Sequence, residues 1–329
     1  VKILCVAGSR GERVKLAPVI AALEGEHVVT FVAISRQGRV PTWDAATPPA
    51  EDLSLTITEG TPALRAGAVV RWMEFIVEER RPDILVTCGG SDAAVGASLM
   101  ASLNGVAQGH LDAGVSAPPP ADLSLRFLDQ ASTFLLAPHA AAAERLARQG
   151  MEDSAFMAGD TLADAPEVTV DENAASEPYC VCYLGGRMLD SPDLPVLFSA
   201  LADIGMGVLL PAADEARRRF QALPSPPAGN VRVTEALDYG AMQEAIARAR
   251  LVITDSPTVQ RESVFRGTVA LGLSPADFPE AERAGWIRVV ALDEEAIAAE
   301  SKAPQPEEPF DVEAHRGSGV RAARFLTGL

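Results

Sequence analysis

The feature that most constrains this chain is a repeated alternation of short apolar runs with helix-spaced segments, interrupted once and then restarted. Residues 2–7 form an apolar run that leads through a glycine-containing loop into a helical pattern over 14–23, with Pro18 near its start. A strand over 27–34, a helix over 61–80 and a strand over 83–88 follow. Next come a helix over 92–103, strands over 106–110 and 133–137, and a helix over 140–149 that stops at Gly150, a residue suited to a left-handed helix end. The polar, aperiodic stretch 167–178 reads as a linker. Beyond it, strands over 179–184, 207–210, 231–233, 251–254 and 269–271 alternate with helices over 194–201, 214–223, 239–249 and 259–266. A last helix over 320–326 follows a Pro- and acid-rich stretch, 303–309. Parallel strands need crossover helices, so this alternation implies parallel sheets covered on both faces. The restart predicts an α/β fold of two Rossmann-like domains facing a central cleft, with ligands at the carboxyl ends of the strands. A length of 329 residues fits two cores better than one.

Charge narrows the partners. The net charge of −17 would repel a nucleic-acid backbone, so no nucleic-acid partner is expected. The apolar runs over 134–137 and 208–210 are far too short to span a bilayer, so no membrane partner is expected either. The chain enters its first strand without a leader-like segment, which points to a cytoplasmic protein. Cys5, Cys88, Cys180 and Cys182 lie in strand-like runs without C-x-x-C spacing and read as buried thiols. The histidines His27, His110, His139 and His315 have no zinc-like spacing, so no metal site is expected. Lysine occurs only at Lys2, Lys15 and Lys302, which singles out Lys15 in its loop.

Four loops carry polar groups at strand ends. Gly8 to Lys15 opens a helix with glycines, a hydroxyl and the cations Arg10, Arg13 and Lys15, a composition suited to an anion, though an ordinary turn with solvent-facing arginines would look the same. Cys88-Gly89-Gly90-Ser91-Asp92 permits close backbone approach, and Ser91 or Asp92 would cap the next helix. Gly109 to Gly114 places Asp112 just past a strand, as either a functional carboxylate or a turn residue. In Thr254 to Glu262, Ser256 or Asp255 would cap a helix with Pro257 at its first position. Exposed amides there suit a diphosphate, and Glu262 lies within reach of a ribose hydroxyl pair.

Taken in order, these loops resemble the non-hydrolysing UDP-N-acetylglucosamine 2-epimerases. The family pattern G-T-R-P-E-x-x-K-x-A-P reads here as Gly8-Ser9-Arg10-Gly11-Glu12-Arg13-Val14-Lys15-Leu16-Ala17-Pro18. P-D-x-x-x-V-x-G-D-T reads as Pro82 to Ser91, and G-H-x-E-A-G as Gly109 to Gly114. P-E-E-x-N-R-x-x-x-D survives in eroded form from Pro120-Ala121-Asp122 to Asp129. A-P-T and G-N-T-x-x-D-A read as Ala137-Pro138-His139 and Gly159 to Ala165. L-D-Y and T-D-S-G-G-x-Q-E-E read as Leu237-Asp238-Tyr239 and Thr254 to Glu262. The resemblance covers nearly the whole chain and implies a GT-B-like pair of Rossmann-like domains. The first spans 1–167, with the helix over 318–329 packing back on it. The second, UDP-binding domain spans 168–317.

The resemblance further implies inversion at a sugar C2 by elimination and re-addition of UDP, with no cofactor, a UDP-sugar as partner and, as is common in the family, a homodimer. Such chemistry needs acid–base groups around the sugar and cations around the diphosphate. The implied catalytic set is Lys15, Asp92, Asp112 and Asp122. The implied substrate-binding set is Arg10, Lys15, Arg187, Ser256, Thr258, Gln260 and Glu262. Departures are equally specific. The family's Asp in G-D-T falls on Gly90, and its G-H-x-E-A-G carboxylate is shortened to Asp112. The His of its H-R-x-E-N falls on Gly185. The glycines after Ser256 are Pro257 and Thr258, and an Arg before a late P-E is Phe278. Three readings stay open: a divergent 2-epimerase, the same scaffold with another nucleotide-sugar reaction such as glycosyl transfer, or a non-catalytic relative that binds a nucleotide sugar or a protein.

Overall fold

The computed structural model describes residues 1–36, 50–57, 60–119, 121–166, 177–223, 227 and 229–328. Most of the stretch read as a linker, 167–176, lies outside these residues, as does Pro120 of the eroded motif. The chain divides into two compact units, Val1–Ala165 with Val312–Leu329, and Pro166–Asp311.

The first unit opens with strand β1 (Lys2–Ala7), helix α1 (Arg10–Leu23), β2 (Val28–Arg36) and β3 (Leu53–Ile57). Helix α2 (Pro62–Arg80), β4 (Ile84–Cys88), α3 (Asp92–Leu103) and β5 (Ala107–Leu111) continue the alternation. Then come α4 (Ala121–Ala131), β6 (Phe134–Ala137), α5 (Ala140–Arg148) and β7 (Ala155–Met157). The seven strands are ordered β3-β2-β1-β4-β5-β6-β7, and every adjacent pair is parallel. Strand β4 is buried at all five positions, the unbroken apolar run that a strand covered on both faces requires. Chain order reverses between β1 and β4, so the switch point of this sheet lies at the carboxyl ends of those two strands.

The second unit repeats the plan with β8 (Tyr179–Tyr183), the short α6 (Gly186–Leu189), α7 (Leu194–Ala202), β9 (Gly207–Ala212), α8 (Asp214–Gln221) and β10 (Val231–Glu235). Helix α9 (Tyr239–Arg248), β11 (Leu251–Thr254), α10 (Pro257–Phe265) and β12 (Val269–Gly272) follow. The unit closes with α11 (Pro279–Arg283), β13 (Ile287–Val289) and α12 (Glu294–Lys302). Its parallel order, β10-β9-β8-β11-β12-β13, reverses between β8 and β11.

Helix α13 (Ser318–Thr327) belongs to the first unit and packs on α1. Gly319 makes that contact possible: a Cβ there would lie 2.7 Å from the Pro18 backbone. The Asp164 carboxylate caps α13, accepting from the Gly317 and Gly319 amides at 2.6 and 2.7 Å and from the Ser318 hydroxyl at 3.1 Å. Asp164 matches the acid of G-N-T-x-x-D-A, so that motif fastens the end of the chain to its first domain. Helices α2 and α3 run side by side through Gly96, where a Cβ would approach the Ala66 carbonyl to 2.6 Å.

Candidate functional site

At the switch point of the first unit, the loops after β1, β4 and β5 converge. Ser9 caps α1, accepting from the Glu12 amide at 3.2 Å, so the helix begins four residues earlier than its apolar spacing suggests. Lys15, one turn in, is 6% exposed and forms an ion pair with Asp112. Asp112 sits just past β5 at φ 63°, a left-handed conformation that Asp tolerates better than most residues. That backbone, with the Ala113 amide tied to the Leu136 carbonyl at 3.2 Å, holds the shortened carboxylate toward Lys15. The thiol of Cys88 lies 4.0 Å from Asp112, and burial pushes it well above its ordinary pKa, so it stays neutral. The other three cysteines are also buried and free, and Cys5 and Cys180 are pushed by burial to about 12.

His110 and Asp129 brace the loops from below. The ring of His110, 0% exposed, lies 2.7 Å from an Asp129 carboxylate oxygen through Nδ1 and 3.1 Å from the Gly89 carbonyl through Nε2. The other Asp129 oxygen accepts from the Gly114 amide at 3.1 Å. The buried His therefore joins the β4 loop, the β5 loop and α4.

The remaining first-unit candidates separate. Asp92 begins α3, with Ser91 as its cap, and its carboxylate meets Arg65 Nε of α2 at 2.5 Å. Asp122 pairs with Arg126 on α4 at 3.1 Å, while its Oδ1 is buried without a hydrogen-bond partner. Gly90 packs on α4: a Cβ there would lie 3.3 Å from Ser124 and Leu125 side-chain atoms. An Asp at that position would be pressed against an apolar side chain. Arg10 is partly buried in the first turn of α1. Arg13 turns away, pairing with Glu51 at 2.7 Å and lying over Phe31 at 5.5 Å. It is a packing residue, not one of the loop cations inferred from the sequence.

In the second unit, Ser256 caps α10, accepting from the Val259 amide at 3.4 Å, and Pro257 takes the first helical position. Ser256 and Thr258 are partly buried, and Glu262 is 2% exposed. Gln260 is fully buried and donates to the Ser274 carbonyl at 2.8 Å, which ties the loop after β12 to the helix. Arg187 is exposed on α6. Phe278, where the resemblance places an Arg, is buried among Phe265 and Phe310 at 5.7 and 5.3 Å. Arg261 lies 5.9 Å over its ring and donates to the Ala276 carbonyl at 3.2 Å. A guanidinium thus still serves this loop, but from α10.

Two carboxylates escaped sequence reasoning. Glu12, 7% exposed, accepts from the Gly8 amide at 2.7 Å, the Ser91 amide at 3.3 Å and the Ser91 hydroxyl at 3.0 Å. Burial pushes it up to about 7, against the opposing pull of Gly8, Ser91 and Lys15. Asp255 does not cap α10. It accepts from the Gly185 and Met188 amides at 2.6 and 3.0 Å and so fixes the turn after β8. Neither had a sequence signal beyond its place in a loop motif. Among the described residues, no group of acidic, His and Cys side chains could hold a metal, and no helix is long and apolar enough to cross a membrane.

Comparison with known proteins bears on the family and the fold. The sequence profile of a family described as UDP-N-acetylglucosamine 2-epimerase matches residues 44–316. The UDP-N-acetylglucosamine 2-epimerase of Bacillus subtilis (strain 168) is 26% identical, with 90% of this chain and 85% of that protein covered. That of Salmonella typhimurium is 25% identical, with 100% and 98% covered. Among solved structures, the Methanocaldococcus jannaschii UDP-GlcNAc 2-epimerase in complex with UDP-GlcNAc and UDP superposes with a TM-score of 0.82 at 20% identity, covering 100% of both chains. The Neisseria meningitidis enzyme bound to UDP-GlcNAc gives 0.83 at 18% identity, covering 100% of this chain and 99% of that one. These structural likenesses establish the fold.

Proposed function

The chain belongs to the UDP-N-acetylglucosamine 2-epimerase family, and from that premise we propose that it interconverts the C2 epimers of a UDP-N-acetylhexosamine by eliminating and re-adding UDP. The observation that carries the reading is the Lys15–Asp112 pair, a nearly buried cation and carboxylate at the switch-point crevice of the first unit. An ionised Asp112 takes the C2 proton as the C1–oxygen bond to UDP breaks. The electrons of the C–H bond form the C1–C2 double bond, and the pair of the broken bond leaves with UDP. Lys15 and Arg10 offset the charge that develops. A proton returned to the opposite face of C2, with re-addition of UDP at C1, completes the inversion. Asp122, with its unpartnered Oδ1, is assigned that second delivery. Asp92, turned toward Arg65, shapes the loop.

In the second unit, the N-terminus of α10 with Ser256 and Thr258 binds the diphosphate, and Glu262 binds the ribose. Gln260 holds the adjoining loop in place, and Arg187 adds a cation from α6. The loss of a carboxylate at Gly90 favours slow turnover, or a second reading in which the chain binds nucleotide sugar without converting it.

A homodimer is also proposed. The exposed apolar residues Leu64, Trp72 and Phe75 of α2 and Leu99 and Leu103 of α3 recur at helical spacing on neighbouring helices. Trp72→Glu is expected to yield monomers by light scattering, and an unchanged mass would reject this face. A nucleotide-sugar substrate and the absence of a membrane-length helix among the described residues are consistent with a cytoplasmic location.

Proton NMR with UDP-N-acetylglucosamine in D2O tests the reaction. Exchange of the C2 proton with appearance of the manno epimer is expected. Saturable line broadening without exchange would replace the reaction with the binding reading, and no change at all would reject this ligand.

A further inference from the structure

The loops after β1 and β4 meet although they lie far apart in the chain. Gly8 comes so near Ser91 that a Cβ on Gly8 would stand 2.8 Å from the Ser91 hydroxyl. One side chain spans the contact. Glu12, in the first turn of α1, accepts the Gly8 amide from its own loop and both the amide and the hydroxyl of Ser91, 79 residues away. It also lies under the neighbouring glycine, since a Cβ at Gly89 would meet Glu12 Oε1 at 3.4 Å. The same helix carries Lys15 one turn further on, and Lys15 holds Asp112. The position of the ion pair therefore depends on how firmly α1 is tied to the β4 loop.

We propose that Glu12 is a positioning residue whose carboxylate latches the β1–α1 loop to the β4–α3 loop and thereby sets the frame for Lys15 and Asp112. The latch stands on this geometry. Its bearing on turnover rests on the function proposed above.

Ionisation controls the latch. A carboxylate accepts all three donors, whereas a carboxylic acid spends one oxygen site on its own proton. The charged and titratable groups on the elements around it are Lys15 of α1, Cys88 of β4, which burial keeps neutral, and Asp112 beyond β5, itself paired with Lys15. Asp92, beside Ser91, faces Arg65, and Arg13 faces Glu51. Lys15 is thus the cation that supports the ionised form, and burial opposes it. Burial outweighs the three donors and Lys15, so closing the latch takes up a proton, and the latch loosens as pH rises through about 7.

The test is site-resolved amide exchange in wild type and Glu12→Gln at pH 6 and pH 8. The Ala241 amide of the second unit, which donates to Asp238, serves as the control. Gln keeps one accepting oxygen, so it cannot serve the Ser91 amide through one oxygen and the Gly8 amide and Ser91 hydroxyl through the other, as the carboxylate does. Exchange at Gly8 and Ser91 should quicken about tenfold in the variant at pH 6, the loss of roughly one hydrogen bond, and much less at pH 8, where the wild-type latch has itself loosened, with Ala241 unchanged. Equal exchange in the two proteins, a pH-independent increase, or an increase shared by Ala241 would each overturn the latch. If Glu12→Gln does not fold, Glu12→Asp, one methylene short of both loops, is expected to give the same loosening and is judged by the same outcomes. Wild type showing the amide pattern without C2 proton exchange would support the latch and reject the reaction. C2 exchange unchanged in Glu12→Gln at pH 6 would overturn the positioning role.

Discussion

Each unit places a carboxylate across its own switch point, with different surroundings. In the first, Glu12 joins Gly8 to Ser91, and beside it lies the buried Lys15–Asp112 pair. In the second, Asp255 joins its loop to Gly185 and Met188, and the arginines lie elsewhere: Arg261 over Phe278, Arg187 in solvent. Beside Asp255 lies the serine-capped N-terminus of α10. The same topology thus provides two kinds of site. One has titratable side chains held out of water, where their basicity can be tuned. The other has backbone amides and a helix dipole, which hold an anion without exchanging protons. The comparison is the ground for proposing chemistry in the first unit and nucleotide binding in the second.

The largest expected effect breaks the first side of that comparison. Lys15→Ala leaves Asp112 without its cation in a site only 11% exposed, so the chain should lose about 3–5 kcal/mol by urea unfolding along with its turnover. Lys15→Met, which removes the charge but keeps most of the volume, should lose turnover as fully. A stable, active Lys15→Ala would show that the pair is a surface accessory.

Next in size is a pH effect. Glu12 is raised from an ordinary 4.5 to about 7, so the folded chain binds this proton more tightly than the unfolded chain does. Its contribution to stability is complete below about pH 4.5 and is lost as pH rises through about 7, by at most about 3 kcal/mol. Urea midpoints over this range should fall more steeply for wild type than for Glu12→Gln, and parallel curves would contradict the shift.

On the second side, Glu262→Ala should weaken UDP binding by about 1.5–3 kcal/mol if it holds the ribose through charge-assisted hydrogen bonds. Arg10→Ala should weaken binding of the full UDP-sugar by a similar amount. The smallest change tests an ordinary cap of the second unit: Asp238→Ala removes the cap of α9, which accepts from the Ala241 amide at 2.6 Å, and should cost about 1 kcal/mol of stability.

Much of the architecture was legible because parallel strands advertise themselves. The runs at Lys2–Ala7 and Leu251–Thr254 and the helix at Asp92–Leu103 appear where their patterns place them. Elements with weaker patterns escaped. Strand β3, LSLTI, has a half-exposed burial pattern, and β7 and β13 have three residues each. Helix α4 lies where erosion of its motif obscured a periodic segment, and α12 is rich in alanine and acids with little apolar stripe. At the site, residue types and loops could be read, but side-chain partners could not. Local spacing gives no sign that Asp92 turns to Arg65, that Arg13 turns to Glu51, or that Asp255 reaches back 70 residues to Gly185. The left-handed backbone that aims Asp112 at Lys15 is likewise a product of packing around β5 and β6.

The division of labour is tested most directly by calorimetric titration of UDP into wild type, Asp112→Asn and Glu262→Ala. The account predicts that Asp112→Asn binds UDP as wild type does and that Glu262→Ala binds it at least tenfold more weakly. Weakened binding in Asp112→Asn with undiminished binding in Glu262→Ala would contradict it and place the nucleotide in the first unit.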